Sequence, residues 1–172
     1  AHETGARVRT RDSAQHAPEG GTASRLARGR GAVAAGHRGR SHPDRALATD
    51  GDVHLGGHEW DSRLVDLVAT EFLRQFDLDP REDPNASGRL WRDCEDAKRT
   101  LSARQKVHIP CDYRGQALRV EVTRTQFEEA TRDLLDRTAF TTRQTLQAAG
   151  LTWNDIDRIL LVGGSTRMPA VV

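Results

Sequence analysis

Two stretches in the middle of the chain space their apolar residues at intervals of three and four, which is the period of an amphipathic helix. The first is predicted to run from His58 to Phe76. Its apolar face consists of Leu64, Leu67, Val68, Phe72 and Phe76. After a polar loop punctuated by Pro80 and Pro84, the second is predicted to run from an Asn85 cap to about Ser102. Its narrower apolar stripe consists of Leu90, Cys94, Ala97 and Leu101.

The pattern then changes to the alternation typical of strands. Lys106–Cys111 and Gln116–Val122 flank the turn-forming residues 112–115, which predicts a β-hairpin. A third helix is predicted to begin at Thr123, where Gln126 three residues later completes a capping-box pattern.

The third helix is predicted to end at Gly150. Beyond it, Ile159–Val162 is predicted to be a short buried strand that leads into a glycine pair, Gly163 and Gly164. A helix starting near Pro169 would have less than two turns, so we expect the C-terminal part to be truncated.

Residues 1–45 differ from the rest in composition. They are dominated by Arg, Ala, Gly and His and have no large aliphatic residues except Val8, Leu26 and Val33, so we expect disorder there. The segment carries a net charge of +5 and the remainder −4, within an overall charge of +1. A basic arm for nucleic acid is an alternative, which the absence of aromatic residues for base stacking disfavours. A second alternative is a shifted reading frame in GC-rich DNA, since residue types with AT-rich codons are missing.

Composition bounds the class of protein. A chain of 172 residues with 36% hydrophobic and 30% charged residues is typical of a soluble domain. It has no apolar run long enough to span a membrane and no secretion signal at its N-terminus, so a cytoplasmic location is the default expectation. Cys94 and Cys111 lack CxxC spacing and are expected to be buried thiols. His54, His58 and Glu59 do not form an HExxH motif, so no metal site is predicted.

The second predicted helix carries polar residues beside its apolar stripe. Glu95, Lys98, Arg99 and Ser102 fall at i, i+3, i+4 and i+7, which places them along one face. By itself such a face is usually solvated and held by ion pairs. Alternatively, it is a polar ledge that holds the edge of a sugar while the planar guanidinium of Arg99 stacks on a base.

The glycine pair after the last strand is the other candidate for ligand contact. Gly163 and Gly164 would let a ligand approach the backbone closely, and amides at the start of a following helix favour polar or anionic groups. Many tight turns have the same pattern, so the motif alone is weak evidence. The chain has no Walker loop, GxGxxG fingerprint or nucleophile elbow.

Three segments, Gly51–Asp61, Cys94–Ser102 and Ile159–Pro169, together resemble the nucleotide-binding domain of the seventy-kilodalton heat-shock chaperones, the DnaK family. The resemblance covers about residues 46–172, with His58 where the family usually has an acid. It implies an α/β (α+β mixed) fold, a partial second lobe of an actin-like ATPase (ribonuclease-H-like) domain with a helical and hairpin subdomain. It also implies that adenine and ribose of ATP or ADP contact two sets of residues. These are Glu95, Lys98, Arg99 and Ser102 on the helix, and Gly163, Gly164, Ser165 and Arg167 on the facing side.

The resemblance does not include the family's phosphate loops or catalytic lysine, and the segment 1–45 stands where one loop is expected. The chain is therefore expected to have no catalytic residues, to bind adenosine weakly at best and not to hydrolyse ATP with Mg²⁺. Partners implied for the intact family are J-domain co-chaperones, nucleotide-exchange factors and unfolded client peptides. The alternative functions are a nucleotide-independent module that docks exchange-factor-like partners, and a nucleic-acid binder led by the basic arm.

Overall fold

The computed structural model describes residues 5–10, 32–37, 45–52 and 54–172. The strands are β1 (Gly5–Thr10), β2 (Ala32–His37), β3 (Arg45–Gly51), β4 (Lys106–Tyr113), β5 (Gln116–Thr123) and β6 (Ile156–Val162). The α-helices are α1 (Gly57–Phe76), α2 (Pro84–Ala103), α3 (Arg124–Ala130) and α4 (Arg132–Ala148). The mixture of helices and strands confirms the predicted fold class.

The chain divides into two compact units. Unit 1 contains the described residues up to Gly56 together with Arg137–Gly164. Unit 2 contains Gly57–Asp136 and Ser165–Val172.

Unit 1 has a four-stranded mixed sheet of order β3-β2-β1-β6. β1 and β2 are parallel, whereas β6 pairs antiparallel with β1 and β3 pairs antiparallel with β2. Most of segment 1–45 lies outside the described residues. The strands β1 and β2 within it differ from the expectation of disorder, because strand pairing uses backbone groups that every residue except proline supplies. The division into 1–45 and 46–172 stays a prediction.

The strand β6 is exposed, and the prediction that Ile159–Val162 is buried is wrong. The side chains of Ile159, Leu160, Leu161 and Val162 are 39–50% exposed. A run of apolar residues is buried only where another layer covers it, and in unit 1 the buried Leu146 of α4 packs against Ala149, Leu151 and Ile156 instead.

Unit 2 has its core between α1, α2 and the hairpin. The apolar face of α1 buries Leu64, Val68 and Phe72 completely, which accounts for the helical period in the sequence. The stripe of α2, represented by Leu90 and Leu101, packs against α1 and β4. Each fully buried Leu, Val or Phe contributes about 1.5–3 kcal/mol to the free energy of unfolding.

The helix α2 begins two residues earlier than predicted and has a different cap. Asp83, not Asn85, is the N-cap, and its side chain accepts a hydrogen bond from the amide of Ala86 at 2.7 Å. Pro84 takes the first helical position, where its fixed φ suits the helix and its missing N–H leaves no donor unsatisfied. The cap therefore has to be the residue before the proline.

The hairpin forms as predicted, with a tighter turn. Arg114 and Gly115 are its two turn residues, and both have positive φ, 48° and 77°. Two such residues match the twist of the flanking strands.

Cys111 of β4 and Cys94 of α2 are both buried free thiols, which confirms the expectation for the two cysteines.

The predicted third helix is divided in two. The capping box at Thr123 and Gln126 is confirmed. At Thr131 the backbone leaves the helical region, with φ −113° and ψ 6°, and its hydroxyl donates to the carbonyl of Phe127 at 2.8 Å. α4 then starts at Arg132, and Gly150 follows its end with φ 68°, a conformation that favours glycine.

Candidate functional site

Lys98 is the most constrained residue on the polar face of α2. Its Nζ donates to the carbonyl oxygen of Gly57 at 2.9 Å and to Oδ2 of Asp61 at 2.8 Å. Both partners belong to α1, so the side chain links the start of α1 to the middle of α2. An ammonium group has three N–H donors, and these contacts use two of them. A ligand oxygen that binds Lys98 would have to accept from the third.

Asp61 is a buried carboxylate whose charge Lys98 balances. Its side chain is 10% exposed, and that of Lys98 is 15% exposed. Burial raises the pKa of Asp61, and the hydrogen bond and charge of Lys98 oppose that shift. Its Oδ1 is also 2.8 Å from Nζ, but it has no hydrogen bond of acceptable geometry among the described residues. This oxygen is buried and interacts with Lys98 through its charge.

Gly57 has no side chain and so leaves space beside the side chains of Lys98 and Ser165. A Cβ at this position would lie 3.3 Å from Nζ of Lys98 and 3.8 Å from Oγ of Ser165. The structure thus brings Lys98 and Ser165 to the same place. Both were predicted to contact adenosine, although they are far apart in the sequence.

Arg99 and Glu95 form a different, exposed arrangement. The guanidinium of Arg99 donates to Oε1 of Glu95 at 2.6 Å and to Oδ1 of Asp96 at 2.9 Å. The Arg99 side chain is 67% exposed. These ion pairs hold the side chain along its own helix and leave much of its surface open to solvent. A planar group in this state can stack on an aromatic ring.

Ser102 lies at the edge of a small cavity rather than in an open pocket. Its hydroxyl donates to the carbonyl of Lys98 at 3.3 Å. The cavity has a volume of about 10 Å³, with Trp60, Lys98, Leu101 and Met168 among the residues that line it. That volume holds about one water molecule, whereas pockets for small ligands measure about 300 Å³ or more. A nucleoside would have to lie on the exposed ledge or widen this cavity.

The structure does not place all four residues of the glycine motif in one unit. Ser165 is buried and Arg167 is exposed, and both belong to unit 2. Gly163, with φ 112°, and Gly164 belong to unit 1. The segments Gly164–Arg167 and Pro169–Val171 are short 3-10 turns, so the helix expected to start near Pro169 is a single 3-10 turn.

Sequence reasoning missed Gly57 and Asp61 as site residues. Both lie in the first motif that carries the family resemblance, but neither has a periodic signal that marks a ligand contact. His58 stacks on Trp91 of α2 with ring centroids 4.3 Å apart. This contact joins the start of α1 to α2.

Comparison with protein families matches residues 45–172 to the family described as Hsp70 protein. This chain belongs to the Hsp70 family. Chaperone protein DnaK from two strains of Halobacterium salinarum is 44% identical over 130 residues, covering 72% of this chain and 21% of the relative. Chaperone protein DnaK of Metamycoplasma hominis is 42% identical over 131 residues, covering 73% of this chain and 22% of the relative.

The chain thus spans about a fifth of the length of the curated DnaK relatives that it matches. The matched region contains α1, α2, the hairpin and both candidate ligand motifs. No helix among the described residues is long and apolar enough to cross a bilayer. The described part of the chain also holds no group of three or more His, Cys, Asp or Glu residues arranged for a metal ion.

Proposed function

We propose that this Hsp70-family chain supplies the adenosine-facing part of a chaperone's nucleotide site. The observation that carries the proposal is the convergence of Lys98, Gly57 and Ser165, with Asp61 holding the ammonium group in place. Bound ATP or ADP would supply the adenine ring and the ribose hydroxyls that these groups recognise. The phosphates and Mg²⁺ require groups that the matched motifs do not include.

The roles of the residues follow from their chemistry. The third N–H of Lys98 donates to a ribose hydroxyl, and the carboxylate of Glu95 accepts from one. Arg99 stacks on the base, and its ion pairs with Glu95 and Asp96 limit the orientations of its plane. Ser102, Ser165 and Arg167 border the same surface of unit 2 in this proposal. Gly163 and Gly164 directly precede Ser165 in the sequence.

An open ledge surrounds little of a ligand, so we expect adenosine to bind with a dissociation constant of about 1 mM, which corresponds to about −4 kcal/mol. We expect no ATP hydrolysis by this chain alone, because phosphoryl transfer depends on cations and loop amides around the γ-phosphate. Within a chaperone of the DnaK type, the same surface would act with a J-domain co-chaperone, an exchange factor and client peptides, in the cytoplasm.

Isothermal titration calorimetry with adenosine, ADP and MgATP tests the proposal. The chain has two lysines, which provide a matched pair of variants. Lys98→Met should abolish adenosine binding, whereas Lys106→Met, which removes an exposed ammonium on β4, should leave it unchanged. Because Lys98 also supports the fold, Arg99→Ala provides a second variant at an exposed position and should weaken binding about tenfold or more.

If the parent chain and Arg99→Ala bind adenosine equally well, the proposal that Arg99 on the exposed face of α2 stacks on the base is contradicted. Micromolar affinity for MgATP, or its hydrolysis, would show that groups outside the proposed surface handle the phosphates and would contradict the expected lack of phosphate contacts.

A further inference from the structure

The hairpin of unit 2 is a two-stranded sheet, so each of its strands has one side that pairs with no other strand among the described residues. Tyr113 lies opposite Gln116 across the two-residue turn, which makes this a hydrogen-bonded pair. Because such pairs alternate along an antiparallel ladder, Leu118, Val120 and Val122 direct their backbone groups to β4. The N–H and C=O groups of Ala117, Arg119 and Glu121 therefore point away from β4.

The outer edge of β4 is protected. Pro110 lies opposite Arg119 at a position where the backbone of β4 faces outward, so this edge lacks one N–H donor. The carbonyl of Asp112 on the same edge accepts a hydrogen bond from Arg89 of α2 at 3.4 Å. Proline and a covering helix are the usual devices that prevent edge-to-edge association.

Among the described residues, the outer edge of β5 pairs with no further strand and has no proline between Ala117 and Glu121. Only its end is closed, because the amide of Thr123 donates to Oε1 of Gln126 at 2.9 Å. Beside this edge lies an open groove of about 370 Å³ between β5 and α1. It is lined by residues 118–122 together with Leu67, Glu71 and Gln126. The groove leaves space for a further strand.

The side chains along β5 are self-complementary. On the exposed face, a cation at Arg119 is followed by an anion at Glu121. Leu118, Val120 and Val122 form the opposite, more buried face. If a second β5 runs antiparallel with Val120 opposite its own copy, Arg119 of each strand faces Glu121 of the other. A shift of two residues in either direction would place Arg119 opposite Arg119, or Glu121 opposite Glu121.

We propose that β5 is an interface for a second copy of this chain, paired antiparallel about a twofold axis at Val120. In this register the outward backbone groups of Arg119 and Glu121 bond to one another across the axis, as an antiparallel ladder requires. Glu121 already lies 2.9 Å from Nζ of Lys106 and 3.2 Å from Nε2 of His108, so the arriving guanidinium completes a cluster of alternating charge. The interface is small, which makes the dimer weak and dependent on concentration.

Charge exchange tests the register. Arg119→Glu and Glu121→Arg each place like charges opposite one another at both symmetric positions, so each should raise the dimer dissociation constant by about tenfold. An equimolar mixture of these two variants should form a heterodimer, because every facing pair is then opposite in charge. Sedimentation velocity over a concentration series measures both effects, with circular dichroism as the check that each variant is folded.

A parent chain that stays monomeric throughout the series would overturn the proposal. A dimer that is insensitive to both variants, or a mixture that does not associate, would do the same by placing the contact elsewhere.

Oxidative cross-linking gives a second test that does not depend on charge. Val120→Cys places two thiols at a facing non-hydrogen-bonded pair, where the Cα atoms are about 4.5 Å apart, within the range of a disulfide. Ala117→Cys introduces an exposed thiol on the same strand, but in this register it lies about 20 Å from its copy. A cross-linked dimer should form with Val120→Cys and not with Ala117→Cys, and the reverse result would overturn the proposed register.

Discussion

Nζ of Lys98 lies 2.8 Å from both carboxylate oxygens of Asp61, which joins the middle of α2 to the start of α1 within unit 2. The residue that the sequence assigns to ligand contact is thus also part of the scaffold. Its position is set by a buried partner and by the carbonyl of Gly57, so the ledge is arranged before any ligand arrives. A preorganised group loses less conformational entropy on binding than a mobile one.

The ion pair should contribute strongly to stability. Lys98→Met leaves the buried carboxylate of Asp61 without its cation and should lower the free energy of unfolding by about 3 kcal/mol. Asp61→Asn should cost less, because it leaves no carboxylate charge to be buried. Urea denaturation of both variants and of the double variant measures the coupling. Strictly additive effects would contradict a direct interaction between the two side chains.

Two glycines in helices should respond oppositely to alanine. Gly88 in α2 has open space around it, so Gly88→Ala should stabilise the chain by about 0.5–1 kcal/mol. In Gly57→Ala the new Cβ meets Nζ of Lys98 at 3.3 Å and disturbs its hydrogen bonds, which should destabilise the chain by about 1 kcal/mol. Thermal unfolding of the two variants provides the comparison. Stabilisation by Gly57→Ala would mean that Lys98 is not held closely at this position.

Asp79 should account for part of the stability that is lost in acid. Hydrogen bonds from Arg81 lower the pKa of Asp79 below its ordinary value of 3.8. The folded chain therefore binds this proton less tightly than the unfolded chain does. The contribution is present at pH values above 3.8 and is lost as the pH falls through the folded pKa. Asp79→Asn should reduce stability at pH 7 and flatten its decline below pH 4, as followed by denaturation at several pH values. An unchanged pH profile would contradict the assignment.

The two thiols should be unreactive in the folded chain. Burial raises the pKa of Cys94 to about 12 and that of Cys111 to about 11, so little thiolate is present at neutral pH. Ellman's reagent should therefore react slowly with the native protein and rapidly with both thiols in guanidinium chloride. Rapid reaction of one thiol under native conditions would show that its surroundings open easily.

The helical part of unit 2 could be predicted well because its signals are local. The apolar period located α1 and α2 to within two residues, and the capping box located the start of α3. The N-cap of α2 could also have been predicted from the sequence, because a proline favours the first helical position and Asp83 directly precedes Pro84.

Other features depend on tertiary contacts that no local pattern contains. The spacing of apolar residues does not change at Thr131, so it does not predict the break between α3 and α4. The exposure of Leu160 depends on which elements cover β6. Asp61 is one of four acids in α1, and only the fold shows that it is buried and that Lys98 approaches it. The four polar residues of α2 were identified from their spacing, but their separation into a clamped lysine and an exposed arginine required the structure.

The most direct test of the account is an NMR titration of the isotope-labelled chain with adenosine. We expect fast-exchange shifts, with a dissociation constant of about 1 mM, concentrated at the amides of residues 95–102 and at Ser165 and Arg167. Shifts confined to other parts of the chain, or none at ten times that concentration, would contradict the claim that this surface recognises adenosine.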